Sequence, residues 1–125
     1  MDSTMTVLKI MPGRKPERKV IPHTLDAMQR MVCGSIQTIC PYKEMVAIVC
    51  NEEGKILGME PNRTMRDPEN GDILDIISGT FFICGLSVDD FCSLTEEQIT
   101  YYSDLFYHPE AFLWNDHNLV VLEMA

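Results

Sequence analysis

Three histidines, five cysteines and three adjacent carboxylate pairs are the residues of this chain whose types could support catalysis or metal binding. His108 and His117 stand nine apart with Pro109 and Trp114 between them, and His23 is remote. No cysteine lies at ligand spacing from any of them, so no zinc site is expected. The pairs Glu52/Glu53, Asp89/Asp90 and Glu96/Glu97 suggest acid–base work. Neighbours on a strand point to opposite faces, which separates the first pair. Glu96 and Glu97 complement a helix N-terminus, and Asp89/Asp90 sit in or before a turn. The phosphate-cradling, dinucleotide, nucleophile-elbow and zinc-helix motifs are all missing. An enzyme is therefore the minority expectation, with neither cofactor nor metal.

A second set of residues suits binding rather than catalysis. Asn51 and Glu52 close an apolar run, Asn62 and Arg63 follow the next one, and Gly79 and Thr80 form a small turn. Asparagine amides, a guanidinium fork and Gly/Thr backbone amides fit a planar polar or phosphorylated ligand. In the alternative reading Asn51 and Asn62 are turn residues, Arg63 pairs with a nearby carboxylate and Gly79 relieves crowding. The residues alone favour that alternative.

The elements that would position these groups follow from pattern. Thr4 to Ile10 alternates as a first strand, and Met11 to Pro22, with three prolines and a glycine, reads as a loop. Thr24 N-caps a helix with Leu25, Met28, Met31 and Val32 on one face, and Gly34 supplies its left-handed stop. Ser35–Cys40 and Met45–Cys50 read as strands, the second continuously apolar and hence covered on both faces. Asn51 to Lys55 reads as a hairpin turn with Gly54 at positive φ, leading into a short strand through Leu57. Asn62 to Gly71 reads as a polar loop, while Ile73–Ile77 and Thr80–Cys84 are further apolar segments. Thr95 and Gln98 form a capping box, with Leu94 and Ile99 as its staple, and Ile99, Tyr102, Leu105 and Phe106 give the helix one apolar face. Asn118 to Met124 could add an edge strand. The expected fold is one α+β domain over residues 1–125. It has an antiparallel or mixed sheet of about five to six strands with at least two helices packed on it.

Charge and composition narrow the partners. The chain has 125 residues and net charge −9, with 46% hydrophobic residues, ordinary for a globule of one domain. Up to Arg66 ten cations face seven carboxylates; beyond it there are twelve carboxylates and no Lys or Arg. The acidic half should repel nucleic acid. The cluster Arg14, Lys15, Arg18 and Lys19 lies among Pro12, Gly13 and Pro16 and reads as a solvated loop that could close over a site. The five cysteines, an odd number without a CxxC pair, read as reduced thiols beside apolar neighbours. No run is apolar enough to span a membrane, and the opening MDSTMTVLKI lacks the regions of a signal peptide. A cytoplasmic protein with no membrane partner is expected.

The strings Asn51-Glu52-Glu53-Gly54-Lys55 and Asn62-Arg63 resemble a family of small uncharacterised proteins found in bacteriophages, mobile elements and Firmicutes. Gly71, Asp75-Ile76, Gly79-Thr80, Gly85, Phe91 and Leu94 to Gln98 continue the shared pattern, which covers roughly residues 20 to 107. The resemblance implies no established activity and no catalytic residue. Its context implies a small accessory protein, encoded by a phage or mobile element, that blunts host defence by stoichiometric binding. The expected function is non-enzymatic sequestration of a small polar or nucleotide ligand by Asn51, Glu52, Asn62, Arg63, Gly79 and Thr80, with Arg63 on the anion. A homo-oligomer is compatible with such a site. The alternative is an acidic inhibitor of a host protein, DNA-like in charge, and a third reading is an unrecognised enzyme.

Overall fold

A computed structural model describes residues 3–125. In chain order the elements are β1 (Thr4–Ile10), β2 (Glu17–Pro22), α1 (Leu25–Val32), β3 (Ile36–Ile39), β4 (Val46–Asn51) and β5 (Pro61–Arg66). They continue with β6 (Ile73–Ser78), β7 (Phe81–Leu86), β8 (Phe91–Cys92), α2 (Glu96–Leu105), β9 (Glu110–Asn115) and β10 (Asn118–Glu123). A six-stranded antiparallel sheet runs β2-β1-β7-β4-β3, with the short β8 also paired to β7. Two separate two-stranded sheets, β5–β6 and β9–β10, stand outside it. The fold is α+β and richer in sheet than in helix.

The central strands explain the layering. Alternate side chains of β4 and β7 enter opposite cores. Ile48, Phe81 and Ile83 pack with Ile99, Tyr102 and Phe106 of the α2 side. Ala47, Val49, Phe82 and Cys84 pack with Met28 and Val32 of α1. Every residue of β4 is buried, as its continuous apolar run requires. The helices are capped as their sequences specify. Thr24 Oγ1 accepts from Ala27 N–H at 3.1 Å, and the Thr95/Gln98 box is closed in both directions at 3.1 and 2.9 Å.

Several expectations are corrected. The segment read as a loop up to Pro22 ends in β2, an edge strand whose charged residues face solvent and so hide its strand pattern. The left-handed stop of α1 is Cys33, at φ 62°, one residue before Gly34. No strand runs through Leu57: residues 52–58 are turns, and Gly54 is not among the glycines at positive φ. Its requirement is space, because the carbonyl oxygen of Ser78 stands 2.8 Å from where a Cβ would be. Residues 62–66, read as loop, form most of β5. Finally, Asn118 to Glu123 is a strand, but it pairs only with β9 and adds nothing to the main sheet.

The thiols divide by environment. Cys50 and Cys84 are buried, whereas Cys33 and Cys40 are exposed, so burial describes only part of the set. Burial raises the Cys50 pKa and pushes that of Cys84 up to about 12, which disfavours the reactive thiolate. With an alkylating reagent at mildly alkaline pH, Cys33 and Cys40 should therefore label on the folded protein. Cys50 and Cys84 should label only after denaturation; mass spectrometry of labelled peptides reads the difference.

Candidate functional site

The six residues expected to line one site do not converge on one cleft. Asn51 ends β4 under the C-terminus of α1. Its Nδ2 donates to the carbonyls of Val32 (3.0 Å) and Cys33 (3.3 Å), and its Oδ1 accepts from Glu53 N–H at 2.7 Å. The amide thus satisfies carbonyls that a helix end leaves without partners. The contact is tight: a Cβ on Gly34 would stand 2.7 Å from Asn51 Nδ2.

Asn62 and Arg63 form the second polar centre, and both are fully buried in β5. Asn62 Nδ2 donates to the carbonyls of Ile10 (2.9 Å) and Gly79 (2.8 Å), tying β5 to the end of β1 and to the β6–β7 turn. Arg63, 1% exposed, donates to Asn62 Oδ1 (2.9 Å), to Phe106 O (3.1 and 3.3 Å) and to Arg14 O (2.5 Å). Desolvation lowers its pKa while the Glu110 carboxylate raises it; as an arginine it keeps its charge. Neither reading of the sequence anticipated this. Arg63 is held by backbone carbonyls rather than paired to a carboxylate by hydrogen bonds, and the two asparagines are strand residues.

The basic loop is engaged as well. Arg63 holds the Arg14 carbonyl, Lys15 Nζ sits 3.7 Å from the Tyr107 ring centroid, and Arg18 makes two bonds to Glu96 at 2.6 and 2.9 Å. That pair lowers the Glu96 pKa and raises that of Arg18, both at an exposed position. Glu52 is exposed, and with Asn51 it borders a depression of about 230 Å³ floored by Cys50, with the Lys55–Asp75 ion pair at its side.

An open cleft lies elsewhere, where α2 meets the two small sheets. It measures about 270 Å³ and is lined by Tyr42, Arg66, Tyr101, Leu105, His108 and Glu110, with Arg63 forming part of its wall. It adjoins a groove of about 880 Å³ that shares Tyr42, Pro68 and Tyr101. The aromatic wall is built on Tyr102, whose ring meets Tyr42 at 5.0 Å and Tyr101 edge-on at 4.9 Å. Burial raises the Tyr42 and Tyr102 pKa values, and the bond from Tyr102 to Glu44 raises the latter further. Both hydroxyls therefore stay protonated. Arg66 is fixed at the rim by bonds from Nε to Thr64 Oγ1 (3.2 Å) and from Nη1 to Gly71 O (3.0 Å). Two nearby carboxylates are already engaged: Glu110 accepts from Thr64 N–H at 2.8 Å, and Asp67 from Glu69 N–H at 2.8 Å.

Among the described residues no group of three or more His, Cys, Asp or Glu is placed to hold a metal ion. No helix there is long and apolar enough to cross a membrane.

These features define a sheet-rich α+β domain whose buried polar motif residues hold its layers together beside an aromatic, arginine-rimmed cleft. The chain belongs to the family designated domain of unknown function DUF3846, which it matches over residues 5–107. No curated protein and no solved structure matches it. The β9–β10 hairpin lies beyond the matched residues.

Sequence reasoning weighed His108 only as a metal ligand and missed Tyr42, Arg66 and Tyr101, because the four are scattered over separate segments. The one available signal was that Tyr101 precedes a core tyrosine on an amphipathic helix and must therefore point off its apolar face.

Proposed function

We propose that this protein binds and sequesters a small planar ligand bearing an anionic group, a nucleotide by class, without transforming it. The observation that carries the reading is the cleft: Tyr101 is 57% exposed on a fixed aromatic base, and the Arg66 guanidinium is locked at the rim. A base stacks on an exposed aromatic ring, and an arginine fork receives the anion. The adjoining groove, at about 880 Å³, is of the size of small-molecule sites, and the cleft opens beside it. The buried cluster of Asn62 and Arg63 supports the cleft wall rather than reading the ligand. The sequence resemblance to proteins of phages and mobile elements supports an accessory role in which a host signalling nucleotide is held and withdrawn.

Calorimetric titration with cyclic and linear nucleotides tests this. Arg66→Ala removes a charge-assisted bond worth about 1.5–3 kcal/mol, a loss of roughly tenfold to a hundredfold in Kd. Tyr101→Ala should cost about 1–3 kcal/mol by loss of stacking. Both residues are exposed, so the thermal midpoint should hardly move. Unchanged affinity in both variants removes the assignment.

One observation favours a second reading. The wider groove carries Glu44, Glu69 and Glu97, and its Lys43 is paired to Glu69 at 2.9 Å. An acidic groove of this kind suits a basic segment of a host protein. Such binding should weaken steeply with salt, which base stacking should not.

A further inference from the structure

The β9–β10 hairpin presents the sequence pattern of a strand pair covered on both faces, yet it lies outside the main sheet. Its register sets Leu113 opposite Val120 and Ala111 opposite Leu122 on one face, and Phe112 opposite Val121 and Trp114 opposite Leu119 on the other. Both faces are therefore apolar. In β4 the same continuous pattern is met by two packed layers and the residues are buried. Here Trp114 is 74%, Leu113 52% and Leu122 48% exposed. A two-stranded ribbon in water is marginal unless further strands or a helix cover it. Its base is anchored by the Glu110–Thr64 bonds, with β9 lying beside β5. Among the described residues β10 pairs with no strand other than β9, so its outer edge is open.

We infer that β10 pairs with β10 of a second copy of this chain, antiparallel about a twofold axis, to make a four-stranded sheet. The turn at Asp116 and His117, both at positive φ, is a two-residue loop, so Asn115 and Asn118 are a hydrogen-bonded pair. Alternation then turns the N–H and C=O groups of Leu119, Val121 and Glu123 outward. Centring the axis on Val121 places Val120 opposite Leu122 of the second copy, and Leu119 opposite Glu123. No carboxylate faces another, so the edge is complementary to itself, as an isologous contact requires. The strong twist of such ribbons curls the joined sheet and gathers the Leu113, Val120 and Leu122 faces together.

On the joined face Leu113, Leu122 and Val120 are 52%, 48% and 37% exposed, so the pairing covers apolar surface there as well as satisfying the open strand edge. The ribbon has no Lys or Arg, and its acids Glu110, Asp116 and Glu123 lie at its ends. Since each copy carries −9, added salt should strengthen the pairing by screening repulsion.

The test is native mass spectrometry and light scattering of the full chain, wild type beside Val121→Pro. Proline removes only the outward N–H and is tolerated at a strand edge. The expected result is a wild-type dimer that tightens with salt and a folded Val121→Pro monomer, with at least a tenfold loss in dimer affinity. Leu122→Lys, which keeps the backbone and charges the joined face, should give the same result and covers any failure of the proline variant to fold. A monomeric wild type at high micromolar concentration overturns the inference, and so does a dimer that survives both substitutions.

Discussion

Arg63→Ala is expected to lose about 3–5 kcal/mol of stability, from buried acceptors left without a donor and from the void left by a large side chain. The variant leaves the carbonyls of Phe106 and Arg14 and the Asn62 Oδ1 without their donor. Each buried acceptor so orphaned costs about 1–3 kcal/mol, and a side-chain-sized void opens at the junction of β5, the end of α2 and the basic loop. In a domain of this size the thermal midpoint should fall by on the order of 10–20 °C. Arg63→Lys should rescue little, because one ammonium cannot reach partners arranged for a planar fork. Differential scanning calorimetry decides; a midpoint within about 3 °C of wild type would show that the guanidinium does not hold the layers together.

Asn51→Leu should be the next most damaging change. It keeps the branching and heavy-atom count of the side chain but removes the donors to Val32 and Cys33 and the acceptor for Glu53 N–H. The last carbonyls of α1 are then buried without partners, at a cost of about 2–3 kcal/mol in chemical denaturation. A coupled prediction sharpens this. Gly34→Ala should be strongly destabilising in the wild type, where the new Cβ would stand 2.7 Å from Asn51 Nδ2. In an Asn51→Ala background the same substitution should cost clearly less, and a double-mutant cycle measures the difference. Additive effects would mean that the amide is not what forbids a side chain at position 34.

Both predictions concern residues that stand out in the sequence as binding groups, and the reason is physical. A polar side chain in a conspicuous motif can serve a ligand or serve buried backbone, and spacing does not separate the two. Asn51, Asn62 and Arg63 each spend their polar atoms on carbonyls of distant segments. Those partners are set by the crossing of layers, which local pattern does not encode.

The elements that were legible are those whose determinants are local. The apolar run of β4 announced a doubly covered strand, and Thr95 with Gln98 announced the start of α2. β5 was illegible because it buries Asn62, Arg63 and Thr64, so its composition is that of a loop while its environment is that of a core. β2 was hidden by charge on an edge strand and by the prolines before it. Pairing was less legible still. β6 and β7 are adjacent in sequence, yet β6 joins β5 while β7 joins β1 and β4. The positive φ of 82° at Gly79 lies at the turn between those two sheets. The cleft was out of reach because it forms between elements whose placement is tertiary.

Binding without turnover is the claim on which the functional account rests. The most direct measurement is native mass spectrometry of the protein incubated with a nucleotide panel, followed by heat release and mass analysis of what comes off. The expected result is a stoichiometric complex in the wild type, its loss in the Tyr101→Ala Arg66→Ala double variant, and release of a ligand with unchanged mass. A released ligand of altered mass would make the protein an enzyme and contradict the account. Binding that persists in the double variant would contradict the cleft, and no binding across the panel would transfer the function to the acidic groove and a protein partner.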